Sequence, residues 1–478
     1  MKKQINWTQW ALPIFLFLAV ILRLGTFFPS VINHDESTYI LIGNGILHGQ
    51  TYLVDSFDTK PIGIFLVYAL FNFLGGGSIF MMRLLTALVV GLTAYLMYKL
   101  TEKASGQSVA GLAAGLIYIL LTSIFKFYGL SPNTELFFVP FAIGAIYLAW
   151  GNDRKWWHFL LAGFLLGLGF VIKYVIAADA LALGLILLWL GWKNKHFWRT
   201  VFQFCISLCI GFIIPIVTVY VYYLAIGAVD DFLFYTFEVT SRYPVQASWN
   251  KRLLFVLDFF GRFFPFTLLA IAAWRKQKIQ PSDWQYFLLL WLLCVTVMTL
   301  LPGKTFGHYQ IQMMPILAIL SGHWFASIQE PLSKMEKWWM KRGTLITFVV
   351  WIGLTVGLLG YYTSKPDYPR EIARILHENM EEGDQVYTGN YHHIVYYLLG
   401  QRSLTPYVHS SLLFYEHHVN ALEIDLMQEA KRIVDEVQPK FILLRKNDIE
   451  NELTDYIYQY YTVSKIELPD KVWLLERK

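Results

Sequence analysis

Charged residues are scarce in this chain: only 15% of its 478 residues are Asp, Glu, Lys or Arg. A soluble domain carries roughly 25%, whereas 56% of the residues here are hydrophobic. Apolar stretches of about 20 residues, the length that a helix needs to cross the hydrocarbon core, recur along the chain. The scarcity of charge therefore argues against a soluble globular protein and predicts a polytopic α-helical membrane protein.

Cysteine is also scarce. The three cysteines (Cys205, Cys209 and Cys294) all fall inside apolar runs, so neither a disulfide framework nor a thiol metal site is indicated. The net charge of +5 is small and is of the size expected when cytoplasmic loops are rich in Lys and Arg. It gives no reason to expect a nucleic-acid partner.

About eleven apolar segments have the length of membrane spans. They lie near residues 10–28, 79–98, 108–125, 134–150, 157–172, 175–192, 200–226, 253–274, 284–301, 308–327 and 344–362. The basic N-terminus lacks a small-residue cleavage site, so we expect it to stay as the first span. A further apolar segment, 60–77, is short and ends in three glycines, which favours a juxtamembrane helix lying in the interface.

The distribution of Lys and Arg predicts the orientation, because cytoplasmic loops carry the excess of both. One set of connections holds Lys2, Lys3, Lys99, Lys103, Arg154, Lys155, Lys193, Lys195, Arg199, Arg275, Lys276, Lys278, Lys334, Lys337, Lys341 and Arg342. The alternate set holds only Lys60, Lys126, Lys173, Arg242, Lys251, Arg252 and Lys304. We therefore expect a cytoplasmic N-terminus in a cell-membrane protein, with residues 32–63 and the C-terminal region outside.

The composition changes after residue 363. Residues 364–478 are polar, with helical periodicity in "PREIARILHENMEEGD" and strand-like runs in "QVYTG", "KFILLRK", "YYTVSKIEL" and "VWLLER". The sequence thus predicts a transmembrane domain over 1–363 and a small extracytoplasmic α/β domain over 364–478. The histidines of this region (His392, His393, His409, His417 and His418) lack the spacing at which one helix converges metal ligands, so we expect no metal site.

Carboxylates gather directly after the first span, in "INHDESTYILIGNGILHGQTYLVDSFDTKPIG". A carboxylate at the bilayer edge needs a compensating partner, and Asp35 with Glu36 is a candidate general base with a neighbour that tunes it. The alternative is structural: Asp35 caps an amphipathic helix that has Tyr39 on one face. In the same stretch, Lys60 precedes a proline at a helix start and suits a lipid-linked phosphate, or simply snorkels to the headgroups.

Other candidates share the predicted outer face. Each also has a structural explanation, as a helix cap, a first-turn acid, a snorkelling lysine or a satisfied core group. They are Asn133, Glu135, Lys173, Lys304, His308 and Tyr309. Acids for base chemistry and cations for a phosphate, expected on one face, indicate a reaction on a lipid-linked phosphate.

These residues resemble a known family, the GT-C glycosyltransferases. An Asp-Glu pair after the first span, "GQTYLVDSFDTKPIG", the "NTE" of 133–135, "GLGFVIK" and "HYQIQMMPILAILSG" occur in the order and spacing of its dolichyl-phosphate-mannose–protein mannosyltransferase-like and aminoarabinose transferase-like branch. The likeness covers about residues 1–330. Ile62 stands where many relatives have a second proline.

The resemblance implies a GT-C-like fold of about eleven transmembrane helices with outer-face juxtamembrane helices. It implies an inverting hexosyl or pentosyl transfer from a polyprenyl-monophosphate sugar to an acceptor hydroxyl on a glycan, lipid or protein, outside the cytoplasm. Asp35 would be the general base, Glu36 would shape the site and Lys60 would hold the donor phosphate. Tyr39, the outer-face residues named above and Asp55 with Asp58 are the candidates for binding substrate, and the individual roles of Asp55 and Asp58 stay open. No cofactor or metal is expected.

A transporter or flippase of lipid-linked sugars is the alternative from another class of protein. Such a protein should carry ionisable groups near the bilayer midplane. Here the mid-span segments are nearly free of charge; Asp179 and Asp258 are the acids among the exceptions, and neither has an obvious partner in the sequence. The pattern favours the enzyme.

Overall fold

The computed structural model describes residues 7–124, 129–151, 153–242, 247–276, 282–326, 334–338, 342–446 and 450–478. Several of the basic residues that predict the orientation lie outside the described residues: Lys2, Lys3, Lys126, Lys278 and Lys341. The chain folds mostly as helices, with one small sheet near its C-terminus.

The helices of the N-terminal half are α1 (Trp7–Ile21), α2 (His34–Leu47), α3 (Ile62–Gly75), α4 (Ile79–Ser105), α5 (Ser108–Leu121), α6 (Thr134–Ala149), α7 (Trp156–Ile172), α8 (Ala177–Lys193), α9 (Phe197–Thr200) and α10 (Ile206–Ala225). A π-helical turn, Val201–Cys205, joins α9 to α10, and 3₁₀ turns lie at Leu24–Phe27 and Tyr174–Ile176.

The second half holds α11 (Val229–Leu233), α12 (Val239–Arg242), α13 (Trp249–Arg262), α14 (Phe264–Lys276), α15 (Asp283–Leu300), α16 (Met314–Ala326), α17 (Lys334–Trp338), α18 (Thr344–Thr363), α19 (Tyr368–Asn379), α20 (Ile394–Leu398), α21 (Glu416–Ala421), α22 (Leu426–Lys431) and α23 (Glu452–Tyr460). π-helical turns lie at Phe234–Glu238 and Arg432–Val437, and a 3₁₀ segment, Gly307–Met313, precedes α16. The strands are β1 (Val386–Tyr387), β2 (Phe441–Arg445), β3 (Tyr461–Val463) and β4 (Val472–Arg477).

Among the described residues, five helical segments are long and apolar enough to cross a membrane: Ile79–Ser105, Tyr174–Lys193, Phe197–Ala225, Asp283–Leu300 and Thr344–Asn379. A sixth results if α13 and α14, which meet at 84°, form one broken span. The other predicted spans coincide with shorter apolar helices or, near 308–327, with a 3₁₀ segment and α16. The helical character is as predicted, whereas the number of eleven spans stays a prediction.

The fold divides into two compact units. The first comprises Met1–Phe27, Arg83–Val219 and Val245–Ser364. Glycines let its helices approach closely: a Cβ on Gly163 of α7 would lie 2.0 Å from the carbonyl oxygen of Leu208 in α10. Small residues at such contacts are the usual means of packing helices within a bilayer, where van der Waals contact replaces the hydrophobic driving force.

Asp179 and Asp258 both have partners in the structure, contrary to the sequence expectation. Asp179 is buried in α8 and accepts hydrogen bonds from the Trp291 indole and the Gln312 amide, each at 2.6 Å. Asp258 pairs with Arg262, one turn further along α13, at 2.5 Å. The sequence around Asp179 could not show its partners, because Trp291 and Gln312 both lie more than a hundred residues further along the chain.

The second unit comprises Phe28–Met82, Tyr220–Pro244 and Lys365–Lys478. Its sheet has the order β1-β2-β4-β3, with β1 parallel to β2 and the other pairs antiparallel. Leu443 of β2 is in register with Leu474 of β4, and both pack with Ile372 and Leu376 of α19 in one core. The four strands and α19 lie where the sequence predicts them.

The predicted domain boundary at 363/364 stays a prediction. The residues beyond 364 share their compact unit with 28–82 and 220–244. Within this unit α2 packs directly on α3: a Cβ on Gly43 would lie 2.8 Å from the backbone nitrogen of Ala69. This contact and the C-terminal segment together position the carboxylates of α2.

Candidate active site

The carboxylates after the first span sit in the first turn of α2. The N-cap of this helix is Asn33, whose side-chain oxygen accepts from the backbone N–H of Asp35 at 3.2 Å. The interpretation of Asp35 as the helix cap is therefore wrong, because the helix begins two residues earlier. Asp35 and the buried Glu36 instead carry negative charge at the positive end of the helix dipole.

Lys60 forms an ion pair with the Asp35 carboxylate within the second unit. Its Nζ lies 3.1 Å from Oδ1 of Asp35 and 3.4 Å from Oδ1 of Asp58. The Asp58 side chain is 2% exposed, and the same oxygen accepts the backbone N–H of Lys60 at 3.1 Å. The Lys60 and Asp35 side chains are 24% and 20% exposed, so the pair is open to a ligand while Asp58 is enclosed.

Tyrosines fix the loop that carries Lys60. The Tyr52 hydroxyl lies 2.6 Å from the carbonyl oxygen of Lys60 and 2.9 Å from that of Asp58, so it can donate to either. Tyr223 in turn donates to the Tyr52 carbonyl oxygen at 3.1 Å. The Lys60 Nζ also lies 5.6 Å from the ring centroid of the buried Tyr39, within the range of a cation–π contact. Pro61 caps α3, as the sequence predicts.

Histidines from two distant parts of the chain surround Asp35. His34 stacks on His392 with ring centroids 4.4 Å apart, and His409 lies 6.4 Å from His34 and 5.3 Å from His393. The Nε2 of His409 is 3.7 Å from Oδ1 of Asp35, and the Nε2 of His393 is 2.9 Å from the Thr38 hydroxyl. We call His34, His392, His393 and His409 the histidine cluster.

Burial keeps the histidine cluster neutral. The pKa of His34 is lowered to about 4 and that of His392 to about 3, mainly by burial and in smaller part by neighbouring histidines and Arg445. Burial also lowers the pKa of His409, against the opposing attraction of Asp35. The pKa of His393 is lowered by burial and by its histidine neighbours. The cluster therefore presents neutral rings to Asp35 at pH 7.

Within the part of the chain that the structure describes, no group of three or more His, Cys, Asp or Glu side chains is arranged to hold a metal ion. The closest approach in the histidine cluster is a stacked pair, with an interplanar angle of 13° between His34 and His392. Parallel rings in van der Waals contact do not aim their nitrogens at one point, as a tetrahedral ion requires.

Other predicted site residues gather in the first unit. Lys173, 16% exposed, pairs with the buried Glu135 carboxylate, and its Nζ lies 4.5 Å from the ring centroid of Tyr309. Glu135 also accepts from the Thr134 hydroxyl at 3.0 Å. The Tyr309 ring meets His308 edge to face at 4.8 Å between centroids. The unit thus holds a second group with an acid, a cation and an aromatic ring.

The remaining candidates have local roles in the structure. Asn133 is the buried N-cap residue of α6, and Lys304 lies half-buried in the segment before the 3₁₀ turn of His308. Asp55 is exposed and accepts the backbone N–H of Thr51 at 2.6 Å, which closes the turn around Leu53. Asp58, whose role the sequence left open, holds Lys60 as described above.

Sequence reasoning missed the histidine cluster as part of this site. The histidines of the C-terminal region were considered only as metal ligands, and His34 not at all. The one available signal is the density of histidine itself, since "HH" at 392–393 and His409 lie in an otherwise ordinary polar region. Their meeting with α2 depends on tertiary packing more than 350 residues apart in sequence.

Comparisons with known proteins agree with this architecture. Residues 59–222 match the family model of dolichyl-phosphate-mannose-protein mannosyltransferases. ArnT from Cupriavidus metallidurans, in a crystal structure bound to undecaprenyl phosphate, superimposes with a TM-score of 0.69 at 14% identity, over 97% of each chain. The chain has the GT-C fold. The predicted resemblance to the protein-mannosyltransferase-like and aminoarabinose-transferase-like GT-C enzymes is confirmed.

More distant structures share the fold. Two are oligosaccharyltransferases from Archaeoglobus fulgidus. AglB, in complex with an inhibitory peptide and a dolichol-phosphate, matches with a TM-score of 0.53 at 13% identity. The other, tethered to an acceptor peptide, matches with a TM-score of 0.56 at 12% identity. Each covers 99% of this chain, which spans 74% of theirs. A comparison with curated proteins finds no match to this sequence.

Proposed function

We propose that this protein is a membrane glycosyltransferase that moves a hexose or pentose from a polyprenyl-monophosphate donor to an acceptor hydroxyl. The single observation that carries the proposal is the pairing of Lys60 with Asp35 at 3.1 Å, beside the enclosed Asp58. This pairing brings a carboxylate and a cation together, which supports a site that holds both a base and a phosphate-binding group. The GT-C fold adds support, because ArnT of this fold binds undecaprenyl phosphate.

In the proposed reaction Asp35 takes the proton of the acceptor hydroxyl. The acceptor oxygen forms a bond to the anomeric carbon as the bond between that carbon and the phosphate oxygen breaks. The electron pair leaves with the phosphate, whose developing charge Lys60 stabilises. One carboxylate base suffices for this single displacement, which inverts the anomeric carbon. Glu36 shapes the site beside the base.

We propose that the reaction requires no cofactor or metal. A phosphate leaving group needs positive charge, and lysines supply it. Lys60 supplies it in the second unit, and Lys173 with Tyr309 is the corresponding candidate in the first. Asn133, Glu135, Lys304 and His308 complete the proposed set of substrate-binding residues, together with Tyr39, Asp55 and Asp58.

The excess of Lys and Arg in alternate loops supports a cytoplasmic N-terminus and a reaction on the extracytoplasmic face. Residues 364–478 then form an extracytoplasmic domain, and the acceptor is a glycan, lipid or protein of the cell envelope. No comparison supports the alternative of a transporter of lipid-linked sugars.

A reconstituted assay tests the proposal. Purified protein in vesicles is given a polyprenyl-phosphate sugar labelled in the sugar, together with cell-envelope acceptor. The account predicts label in the acceptor and release of polyprenyl phosphate, with the opposite anomeric configuration in the product. Movement of intact donor between leaflets, without loss of the sugar–phosphate bond, would show a transporter instead.

A further inference from the structure

His409 stands beside the proposed base and comes from the far end of the chain. Its side chain is 18% exposed, and its Nε2 lies 3.7 Å from the same Asp35 oxygen that Lys60 contacts at 3.1 Å. A cation and an imidazole therefore face one carboxylate oxygen, the cation in contact with it and the imidazole just beyond hydrogen-bond distance. The role assigned to Asp35 and Lys60 uses neither His409 nor any other histidine.

The hydrogen bonds on the other side of the ring decide where its proton lies. The backbone N–H of Ser411 donates to Nδ1 of His409 at 3.2 Å, and the Ser411 hydroxyl lies 2.8 Å from the same nitrogen. Because Nδ1 accepts from an amide that cannot act as an acceptor, the neutral ring carries its proton on Nε2. That proton faces Asp35.

The bonds to Ser411 also hold the ring in place. The Nδ1 of His418 lies 3.2 Å from the Ser411 hydroxyl, so this hydroxyl can accept from His418 while it donates to His409. The Ser411 N–H and the Ser411 hydroxyl both bond to Nδ1 and hold the plane of the His409 ring. The Nε2–H of the ring therefore keeps its direction toward Asp35. Such an outer bond is the usual means of orienting a histidine toward its partner.

We propose that His409 is the positioning residue of Asp35: as Lys60 turns to the donor phosphate, the Nε2–H of His409 closes the 3.7 Å separation and donates to Oδ1, which keeps the carboxylate ionised and oriented. This inference rests on the proposed function. In the structure Lys60 is paired to Asp35, and a lysine engaged by the phosphodiester anion of the donor neutralises the carboxylate less. The neutral His409 ring does not compete for the phosphate. Its Nε2–H can therefore keep the Asp35 carboxylate ionised and oriented when Lys60 moves to the donor.

In the described part of the chain, charged and titratable groups approach Asp35 from at least three places. His34 lies in the same helix, Lys60 and Asp58 lie in the loop before α3, and His409 lies in the C-terminal segment. Loss of one hydrogen-bond donor from a carboxylate raises its pKa by roughly one unit. Removal of His409 should therefore shift the acid limb of the rate profile, which a purely structural role would leave in place.

Three variants test the role. His409→Leu removes the donor, His409→Gln keeps an amide N–H near the position of Nε2, and His377→Leu changes an exposed histidine of α19 as the matched control. The measurement is kcat/KM for transfer from polyprenyl-phosphate sugar, over a pH range from roughly 3.5 to 8 that includes the acid limb of an aspartate. Thermal unfolding of each purified variant reports whether it has folded.

The proposal predicts that His409→Leu moves the acid limb of kcat/KM up by about one pH unit, so that its loss relative to wild type reaches roughly tenfold on that limb and is smallest at neutral pH. His409→Gln should keep the wild-type limb, and His377→Leu should match wild type. An unshifted limb in His409→Leu, with Asp35→Asn inactive, would overturn the inference and leave the proposed function standing. An inactive wild type would overturn both.

Should His409→Leu fail to fold, His409→Gln and His409→Asn carry the test. The Asn amide is one carbon shorter and stops short of Asp35, whereas the Gln amide reaches it. The proposal predicts a shifted acid limb in His409→Asn alone, and equal limbs in the two variants would overturn it.

Discussion

Lys60 and Asp35 form an ion pair of 3.1 Å across 25 residues of sequence. The pair joins the loop before α3 to the first turn of α2, and it is neither buried nor fully exposed. A partly exposed ion pair contributes little to stability. We therefore explain the pair by its function rather than by its contribution to folding. In the proposed reaction the two partners separate, one to the acceptor proton and the other to the phosphate.

Lys60→Met should weaken binding of the donor. A charge-assisted hydrogen bond to phosphate is lost, which raises the Kd roughly tenfold to hundredfold. Binding of a polyprenyl phosphate to the purified protein measures the change, with the exposed Lys465 changed to Met as the matched control. Lys60→Arg should retain most of the affinity. Equal Kd values for Lys60→Met and wild type would remove Lys60 from the phosphate site.

Thr38→Val should destabilise the second unit. The Thr38 hydroxyl and the Nε2 of His393 lie 2.9 Å apart and both residues are buried. Valine keeps the shape but leaves the ring nitrogen unsatisfied, at a cost of about 1–3 kcal/mol. Thermal or denaturant unfolding measures this loss, with Thr462→Val on exposed β3 as the control. Equal stabilities of the two variants would contradict the account.

Stability should fall with acid in the range set by His34 and His392. Both have folded-state pKa values, about 4 and about 3, below the ordinary 6.5. Between these values the unfolded chain binds more protons than the folded one, so unfolding becomes easier as pH falls from about 6.5 to about 4. Above pH 7 both states are neutral and the contribution vanishes.

His392→Phe tests this linkage, because it keeps a ring to stack on His34 and removes one titrating group. The Tm of the variant should fall less than that of wild type between pH 7 and pH 4.5. His377→Phe, at an exposed position of α19, is the control. Parallel curves for wild type and His392→Phe would show that this ring does not titrate on unfolding.

Glu135 and Lys173 should be energetically coupled. Glu135 is 1% exposed and Lys173 16%, so removal of one partner leaves a poorly solvated charge and costs about 3 kcal/mol. Glu135→Gln and Lys173→Met should each lower stability, whereas the double variant should lose less than the sum of the two. Additive losses would show that the pair is not coupled in the folded protein.

The secondary-structure elements could be predicted from the sequence better than the tertiary contacts between them. The strands β1 to β4 and helix α19 lie on the predicted runs because alternating and helical periodicities are local properties. The start of α2 was misplaced by two residues, since Asn33 and Asp35 are both good caps and only tertiary packing chooses between them.

The site shows the same division. Lys60 was predicted to bind a phosphate, and no sequence pattern showed that it pairs with Asp35. His409 was beyond prediction because its partner lies 374 residues earlier in the chain. Likewise, the partners of Asp179 lie on α15 and in the 3₁₀ segment before α16. Pairings over such distances depend on the complete fold rather than on a local motif.

Transfer of labelled sugar from a polyprenyl-phosphate donor by wild type and by Asp35→Asn tests the central claim most directly. Asn keeps the size of the side chain and its ability to accept hydrogen bonds but cannot take a proton at neutral pH. Asp425→Asn, at an exposed helix cap of α22, is the matched control. We predict that transfer falls roughly 10²–10⁴-fold in Asp35→Asn and is unchanged in Asp425→Asn. Undiminished transfer in Asp35→Asn would contradict the assignment of the base.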